Sequence, residues 1–256
     1  MKRFFILLLV IGLTSATAAA GTIPAGWSCT GNCGTAGADG VVTLGPSGNP
    51  YEWVSTSGGL AGVGSLSGIG GTNGSVLTSS IFAANAGDPL SFYFNYVTSD
   101  GAQFADYAWV KLVNNDTSTA ILLFTARTTT GGNTVPGFDM PAIDPGVTLV
   151  PPSTPIIAGG PAWSPLGGYS GWCYNVGCGY TGWIGSSYTI SIAGNYYLQF
   201  GATNWLDQIY DSGIAIDNVT VAGELIPGQV PEPGTLVMLG SGLVGLAGAI
   251  RRKFAR

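Results

Sequence analysis

Histidine is absent from all 256 residues, which removes Ser-His-Asp and Cys-His nucleophilic sites and the usual imidazole zinc sites. Basic side chains are nearly as scarce in the body of the chain. Between Gly21 and Val230 only Lys111 and Arg127 occur, against twelve acidic residues, a net charge of −10. The whole-chain value of −5 understates this, because six of the eight basic residues lie among the first three and last six positions. Nucleic-acid binding needs Lys and Arg to displace counterions from phosphates, so that class is excluded. Charged residues of both signs make up only 8% of the chain, while aromatics reach 11%. Disordered chains combine high charge with few aromatics, so a folded body is expected.

The two ends differ from the body. Lys2 and Arg3 precede an apolar run from Phe4 to Leu13, and Ala18-Ala19-Ala20 offers small residues for cleavage; residues 1–20 therefore read as a secretory signal helix. The other end has three parts: Pro231-Glu232-Pro233, an uncharged apolar run from Gly234 to Ile250, and the basic cluster Arg251, Arg252, Lys253 with Arg256. As a helix the run would be about 25 Å long, at the short limit for a hydrocarbon core of about 30 Å. It reads as a single transmembrane segment over 234–250, with the basic cluster stopping it on the cytoplasmic side and everything earlier on the far side. Gly240, Gly242 and Gly245 spell a dinucleotide-binding fingerprint, but no strand-helix-strand unit or later acidic residue accompanies them. A small-residue face for helix packing is the better reading.

This C-terminal pattern resembles the PEP-CTERM sorting signal of bacterial surface proteins, carried by Val230-Pro-Glu-Pro-Gly-Thr, Leu239-Gly-Ser-Gly-Leu, Leu246-Ala-Gly and Arg251-Arg-Lys. The resemblance implies a membrane-embedded, cysteine-dependent processing peptidase of the exosortase type, which would cut near Pro231-Glu232-Pro233. It also implies passage through the inner membrane to the cell surface, outer envelope or extracellular matrix. An ordinary C-terminal anchor is the alternative.

The organisation expected is a signal peptide (1–20), an ectodomain (21–222), a linker (223–230) and the sorting tail (231–256). Within the ectodomain, strands are expected at 41–44, 51–54, 75–82, 90–97, 107–113, 120–126, 187–192, 196–201 and 213–221, separated by Asn, Asp, Gly and Pro turn chemistry. Phe92, Phe94 and Tyr96 should face one side of their strand, opposite Tyr93 and Asn95. Residues 58–74 are so glycine-rich that they read as a mobile loop or a set of tight turns. Residues 128–186 form a long irregular excursion, which is usually functional or cross-linked. Strands without amphipathic helices indicate an all-β, two-sheet, jelly-roll-like β-sandwich. The run Ile214-Ala-Ile-Asp217-Asn218-Val-Thr-Val221 is similar to the last strand of extracellular carbohydrate-binding jelly rolls, at the level of fold only.

Four candidate sites follow. Cys29, Cys33, Cys173 and Cys178 form an even set in an exported chain and read as two disulfides, local pairing being simplest and cross-pairing open. Asp207, Asp211, Asp217 and Asn218 offer hard oxygen ligands for calcium near one strand end, alongside the turn residues Asp88, Asp100 and Asp106, although the spacing matches no calcium-loop motif. Aspartate is also simply a good turn residue. Trp163, Trp172 and Trp183, crowded with Tyr169, Tyr174 and Tyr180, could stack on a sugar, or could be core. Glycoside hydrolysis needs two placed carboxylates, and no motif selects a pair. The expectation is a non-catalytic surface or matrix protein; the alternative is a carbohydrate-binding module, with or without calcium, acting on exopolysaccharide.

Overall fold

The computed structural model describes residues 22–229. The sorting motif at Pro231, Glu232 and Pro233, the basic cluster Arg251, Arg252 and Lys253, the signal segment 1–20 and the apolar run 234–250 lie outside the described residues. Among the described residues no helix is long and apolar enough to cross a membrane.

The chain is all-β and folds as two packed antiparallel sheets. One sheet runs in the order Ser28–Thr30, Asn73–Thr78, Gly194–Thr203, Tyr107–Asn114, Ala120–Arg127. The other runs Thr148–Val150, Ile184–Thr189, Pro89–Thr98, Ser212–Val221, Tyr51–Ser55, Asn32–Ala36. Three strands of ten residues form the centre: Pro89–Thr98 pairs with Ser212–Val221, while Gly194–Thr203 occupies the middle of the opposite sheet. Alternation along these strands sends one set of side chains between the sheets. Phe92, Phe94 and Tyr96 point inward and are buried, and Tyr93 points out, as the pattern predicts.

The inner layer is an aromatic chain crossing from sheet to sheet. Trp27 stacks on Phe200, Phe200 meets Phe92 edge-on, Phe92 neighbours Phe94, and Phe94 stacks on Phe124 at 3.8 Å. Aromatic rings bury large areas and so dominate core energetics.

Each sheet is also covered on its outer face. The glycine-rich segment 58–74 is not loose. Its backbone is pinned by two aromatics of the Tyr107–Asn114 strand: the Leu66 N–H donates to Tyr107 Oη at 2.9 Å, Tyr107 Oη donates to the Gly70 carbonyl at 2.6 Å, and Trp109 Nε1 donates to the Gly64 carbonyl at 2.7 Å. Gly201 lets Trp109 lie flat on the sheet, since a Cβ there would come within 2.3 Å of the ring. The excursion after Arg127 covers the other sheet, with Trp163 fully buried against it.

Several boundaries differ from the sequence expectation. Residues 41–44 make only an isolated bridge, Asp39 to Val42, and the run expected at 75–82 divides into Asn73–Thr78 and Phe82–Ala84. The strand expected at 187–192 lies earlier, at Ile184–Thr189. Residues 28–36, expected as loop, supply an edge strand to each sheet. The chain changes sheets at Gly31, whose φ of 96° is open to glycine and whose Cβ would clash with Ser75 Oγ at 2.3 Å.

The expected linker is packed onto the body. Glu224–Leu225 pairs with Thr220 and Val221, Ile226 is buried, and the Pro227 carbonyl accepts from Trp27 Nε1 at 2.9 Å and Ser80 Oγ at 2.6 Å. Gln229 closes this segment: its Nε2 donates to Glu52 Oε2 at 2.9 Å and its Oε1 accepts from the Val219 N–H at 3.1 Å.

Candidate functional site: the acidic and aromatic end of the sandwich

Both cysteine pairs close locally. Cys29–Cys33 spans the sheet change, so it ties an edge strand of one sheet to an edge strand of the other. Cys173–Cys178 closes a small loop inside the excursion. Free cysteines are absent among the described residues.

The three tryptophans expected as a sugar platform do not share a surface. Trp163 is 0% exposed, its Nε1 donating to Tyr51 Oη at 3.0 Å. Trp183 is half-buried and meets Tyr51 edge-on at 5.7 Å. Only Trp172 stands out, at 62% exposure. Trp163 and Trp183 therefore serve to hold the excursion on the sheet, burying ring area that a loop could not otherwise cover.

A different set of rings lines the outside. Phe104 meets Tyr174 edge-on at 5.5 Å, Tyr174 lies 5.1 Å from Tyr210, and Tyr210 lies 4.8 Å from Tyr169. This row draws on three separate loops, with Tyr174 exposed and the other three half-buried. Tyr169 and Tyr174 were in view from the sequence as members of a crowded segment. Phe104 and Tyr210 were not, because only the return of the 99–106 and 204–211 turns to the same end brings them in.

Behind this row lie buried carboxylates. Asp106 is 0% exposed, with Oδ1 accepting the Trp205 N–H at 2.9 Å and Oδ2 accepting Ser212 Oγ at 2.7 Å. Asp211 Oδ1 accepts Thr56 Oγ1 at 3.0 Å, and its carbonyl accepts both the N–H and the Oγ of Ser99. Asp100 Oδ1 accepts the Gly101 N–H at 2.6 Å, while its Oδ2 is buried without a partner. Asn204, fully buried, likewise has an unpartnered Oδ1, its Nδ2 donating to Asn73 Oδ1 at 3.1 Å. Burial raises all three carboxyl groups. Asp100 is pushed up to about 8, with the Asp207 and Asp211 charges adding to desolvation, and Asp106 is raised well above the usual range, with Asp100 adding. Asp211 is raised chiefly by burial.

The four residues expected around calcium are divided by the fold. Asp211 and Asp217 lie six positions apart along extended chain, about 20 Å of strand. Asp217 is occupied at the far end, its two carboxylate oxygens accepting the Ser47 N–H at 2.8 Å and Ser47 Oγ at 2.7 Å, which pins the 45–50 turn. Asn218 has φ of 55° in the irregularity between Asp217 and Thr220, a backbone role. Asp207 and Asp211 stay with Asp100 and Asp106 instead. Sequence spacing joined what a straight strand separates.

Three comparisons stand beside this geometry. Curated protein sequences contain no match to the chain. Among solved structures, it is similar to the K1 cleaved adhesin domain of Lys-gingipain from Porphyromonas gingivalis W83, at 16% identity and a TM-score of 0.38 over 82% of this chain and 99% of that one. The K3 cleaved adhesin domain of the same protein gives 13% and 0.36 over 78% and 92%, and an exo-beta-agarase gives 9% and 0.33 over 81% and 24%. Likeness at this level carries nothing about activity. The model of the PEP-CTERM protein-sorting motif matches residues 229–253, and it begins at Gln229, the residue clamped to Glu52. The chain thus carries a PEP-CTERM protein-sorting motif joined without a spacer to a docked β-sandwich, which implies export to the cell surface and processing by an exosortase-type peptidase.

Proposed function

We propose that the mature protein is a non-catalytic structural or adhesive component of the bacterial surface or its polysaccharide matrix, delivered by a signal peptide at 1–20 and released from its tail near Pro231-Glu232-Pro233. The observation that carries this reading is the sorting motif at 229–253, directly behind a two-sheet body. Two disulfides and buried linker residues suit a domain built to persist outside the cell. Intact mass and C-terminal sequencing of the protein from its native host test it. The expected C-terminus falls between Pro231 and Gly234; a C-terminus at Arg256 would mean a retained anchor and would overturn the sorting part of the proposal.

The ring row favours a second reading, in which the same domain contacts exopolysaccharide. Phe104, Tyr174, Tyr210 and Tyr169 form a continuous series of partly exposed faces, and such faces stack on sugars. Replacing Tyr174 and Tyr210 together by alanine is expected to abolish retention of the purified protein on host exopolysaccharide, with an unchanged unfolding midpoint. Retention equal to that of the parent protein would remove this reading.

A further inference from the structure

We propose that the cleft beside Arg127 binds a sugar acid, the Arg127 guanidinium taking the carboxylate while the Phe138 ring and the hydroxyls of Thr129 and Thr130 meet the sugar. Arg127 ends the strand Ala120–Arg127 and, with Lys111, is one of only two basic residues in the acidic body. It is also buried, at 5% exposure. Among the described residues its side chain makes one hydrogen bond, Nε to the Ala105 carbonyl at 3.0 Å, and no ion pair. The guanidinium lies 4.1 Å over the Trp205 ring, so one face is covered while both Nη groups are left without a partner. A buried cation is costly unless it is paired and hydrogen-bonded. What the geometry lacks is an acceptor.

Room for one adjoins it. Arg127, Thr129, Thr130, Phe138, Asp139 and Trp205 line a cleft of about 280 Å³. The cleft belongs to the same end of the sandwich as the ring row: Thr128 Oγ1 donates to the Gly177 carbonyl at 2.7 Å, and the Ala102 N–H donates to the Val176 carbonyl at 2.9 Å. A single guanidinium fork matches one planar carboxylate in a bidentate pair. A doubly charged phosphate would find no second cation, since the other charge in the lining is the Asp139 carboxylate at the exposed rim. Burial works against the Arg127 charge and Asp139 supports it from the rim. A small acid alone would leave most of the cleft empty and the Phe138 ring, 59% exposed, uncovered. A uronic acid answers both: its carboxylate meets the fork, its ring face covers Phe138, and its hydroxyls pair with those of Thr129 and Thr130. The inference rests on the reading in which this end of the domain contacts polysaccharide, and it narrows that contact to acidic sugars.

Calorimetric titration of sodium D-glucuronate into the full-length protein, held in a detergent without a sugar headgroup, tests the proposal, with D-glucose and sodium acetate as comparisons. One glucuronate per chain is expected at a dissociation constant of about 1 mM, the level that ordinary ligand efficiency gives for a ligand the size of one sugar. Glucose and acetate should each bind at least about 10-fold more weakly, since each lacks half of the match. Arg127→Lys keeps the charge but loses the fork, and should weaken glucuronate at least about 10-fold. Because Arg127 is buried, two exposed positions keep the test independent of folding: Phe138→Ala should weaken binding about 2- to 10-fold, and Asp139→Asn should strengthen it about 2- to 5-fold. No saturable heat up to about 20 mM glucuronate, some twentyfold above the expected constant, would overturn the proposal. Acetate binding as tightly as glucuronate would remove the sugar from it, glucose binding as tightly would remove the carboxylate, and parent affinity in both Phe138→Ala and Asp139→Asn would remove the cleft. Retention on host exopolysaccharide is read separately. Glucuronate binding by a parent protein that is not retained on the polymer would sink the polysaccharide reading alone, and retention without glucuronate binding would sink the sugar-acid cleft alone.

Discussion

Trp163→Ala is expected to lower the unfolding free energy by about 3–5 kcal/mol, the usual range for truncating a buried aromatic. The ring is 0% exposed and is the largest fully buried side chain among the described residues. It packs with Tyr51, Trp53, Val97, Leu166 and Ala215, outside the layer between the sheets. Its loss therefore does more than open a cavity. The 3₁₀ turn Ser164–Tyr169 follows it directly, and the Trp163 backbone N–H donates to Ser170 Oγ at 2.8 Å across that turn. Urea unfolding should give the energy, and hydrogen exchange should show residues 164–183 losing protection well before the central strands. Tyr51→Phe removes only the hydroxyl that accepts from Trp163 Nε1 and leaves that N–H buried and unpaired, so a smaller cost of about 1–3 kcal/mol is expected. A loss under 1 kcal/mol for Trp163→Ala would mean that the excursion is held by its disulfide and backbone bonds instead.

Stability is expected to fall as pH rises from about 4.5 to about 7, and Glu52 is one cause, beside the buried carboxyls of Asp100, Asp106 and Asp211, which are raised as well. Burial pushes its carboxyl up to about 7 from an ordinary 4.5, against the lowering effect of the Gln229 hydrogen bond, with Asp217 adding to the rise. The folded chain then holds the proton more tightly than the unfolded chain does. Protonated Glu52 costs nothing extra below the unfolded value; as pH rises through the folded value the folded state must bury a charge, and stability is lost. A shift of this size corresponds to about 3 kcal/mol between the two ends of the window. Glu52→Gln should make the dependence over this window shallower without abolishing it, read from urea midpoints between about pH 4.5 and 7.5. An unaltered slope in Glu52→Gln would place the dependence on other groups. Because Glu52 also holds Gln229, the first residue of the sorting motif, the same titration bears on how firmly that motif is tethered.

The particulars show which parts of this protein can be read from residue order. Turn residues between apolar runs placed the strands 51–55, 89–98, 107–114, 120–127, 194–203 and 212–221 within a few residues, because local chemistry sets where an extended chain must stop. The inward side of Phe92, Phe94 and Tyr96 followed from the period of two alone. Residues 28–36 were missed because edge strands this short carry little hydrophobic pattern, and their position is fixed by Gly31 and Cys29–Cys33. The glycine-rich 58–74 gave no sign of being pinned, since the pinning groups, Tyr107 and Trp109, lie a strand away.

By itself the sequence determined the all-β class, the lack of histidine chemistry, the acidic body and the sorting motif, all of which are local or compositional. Tertiary structure alone decided which rings face solvent and which carboxylates share an environment. It buried Trp163, lined up Phe104, Tyr174, Tyr210 and Tyr169, and separated Asp211 from Asp217 while bringing Asp100 and Asn204 to one end. The reason is geometric: a strand carries neighbours in sequence about 3.3 Å apart per residue toward opposite ends of the sandwich, and only the return of distant turns to the same end assembles a site.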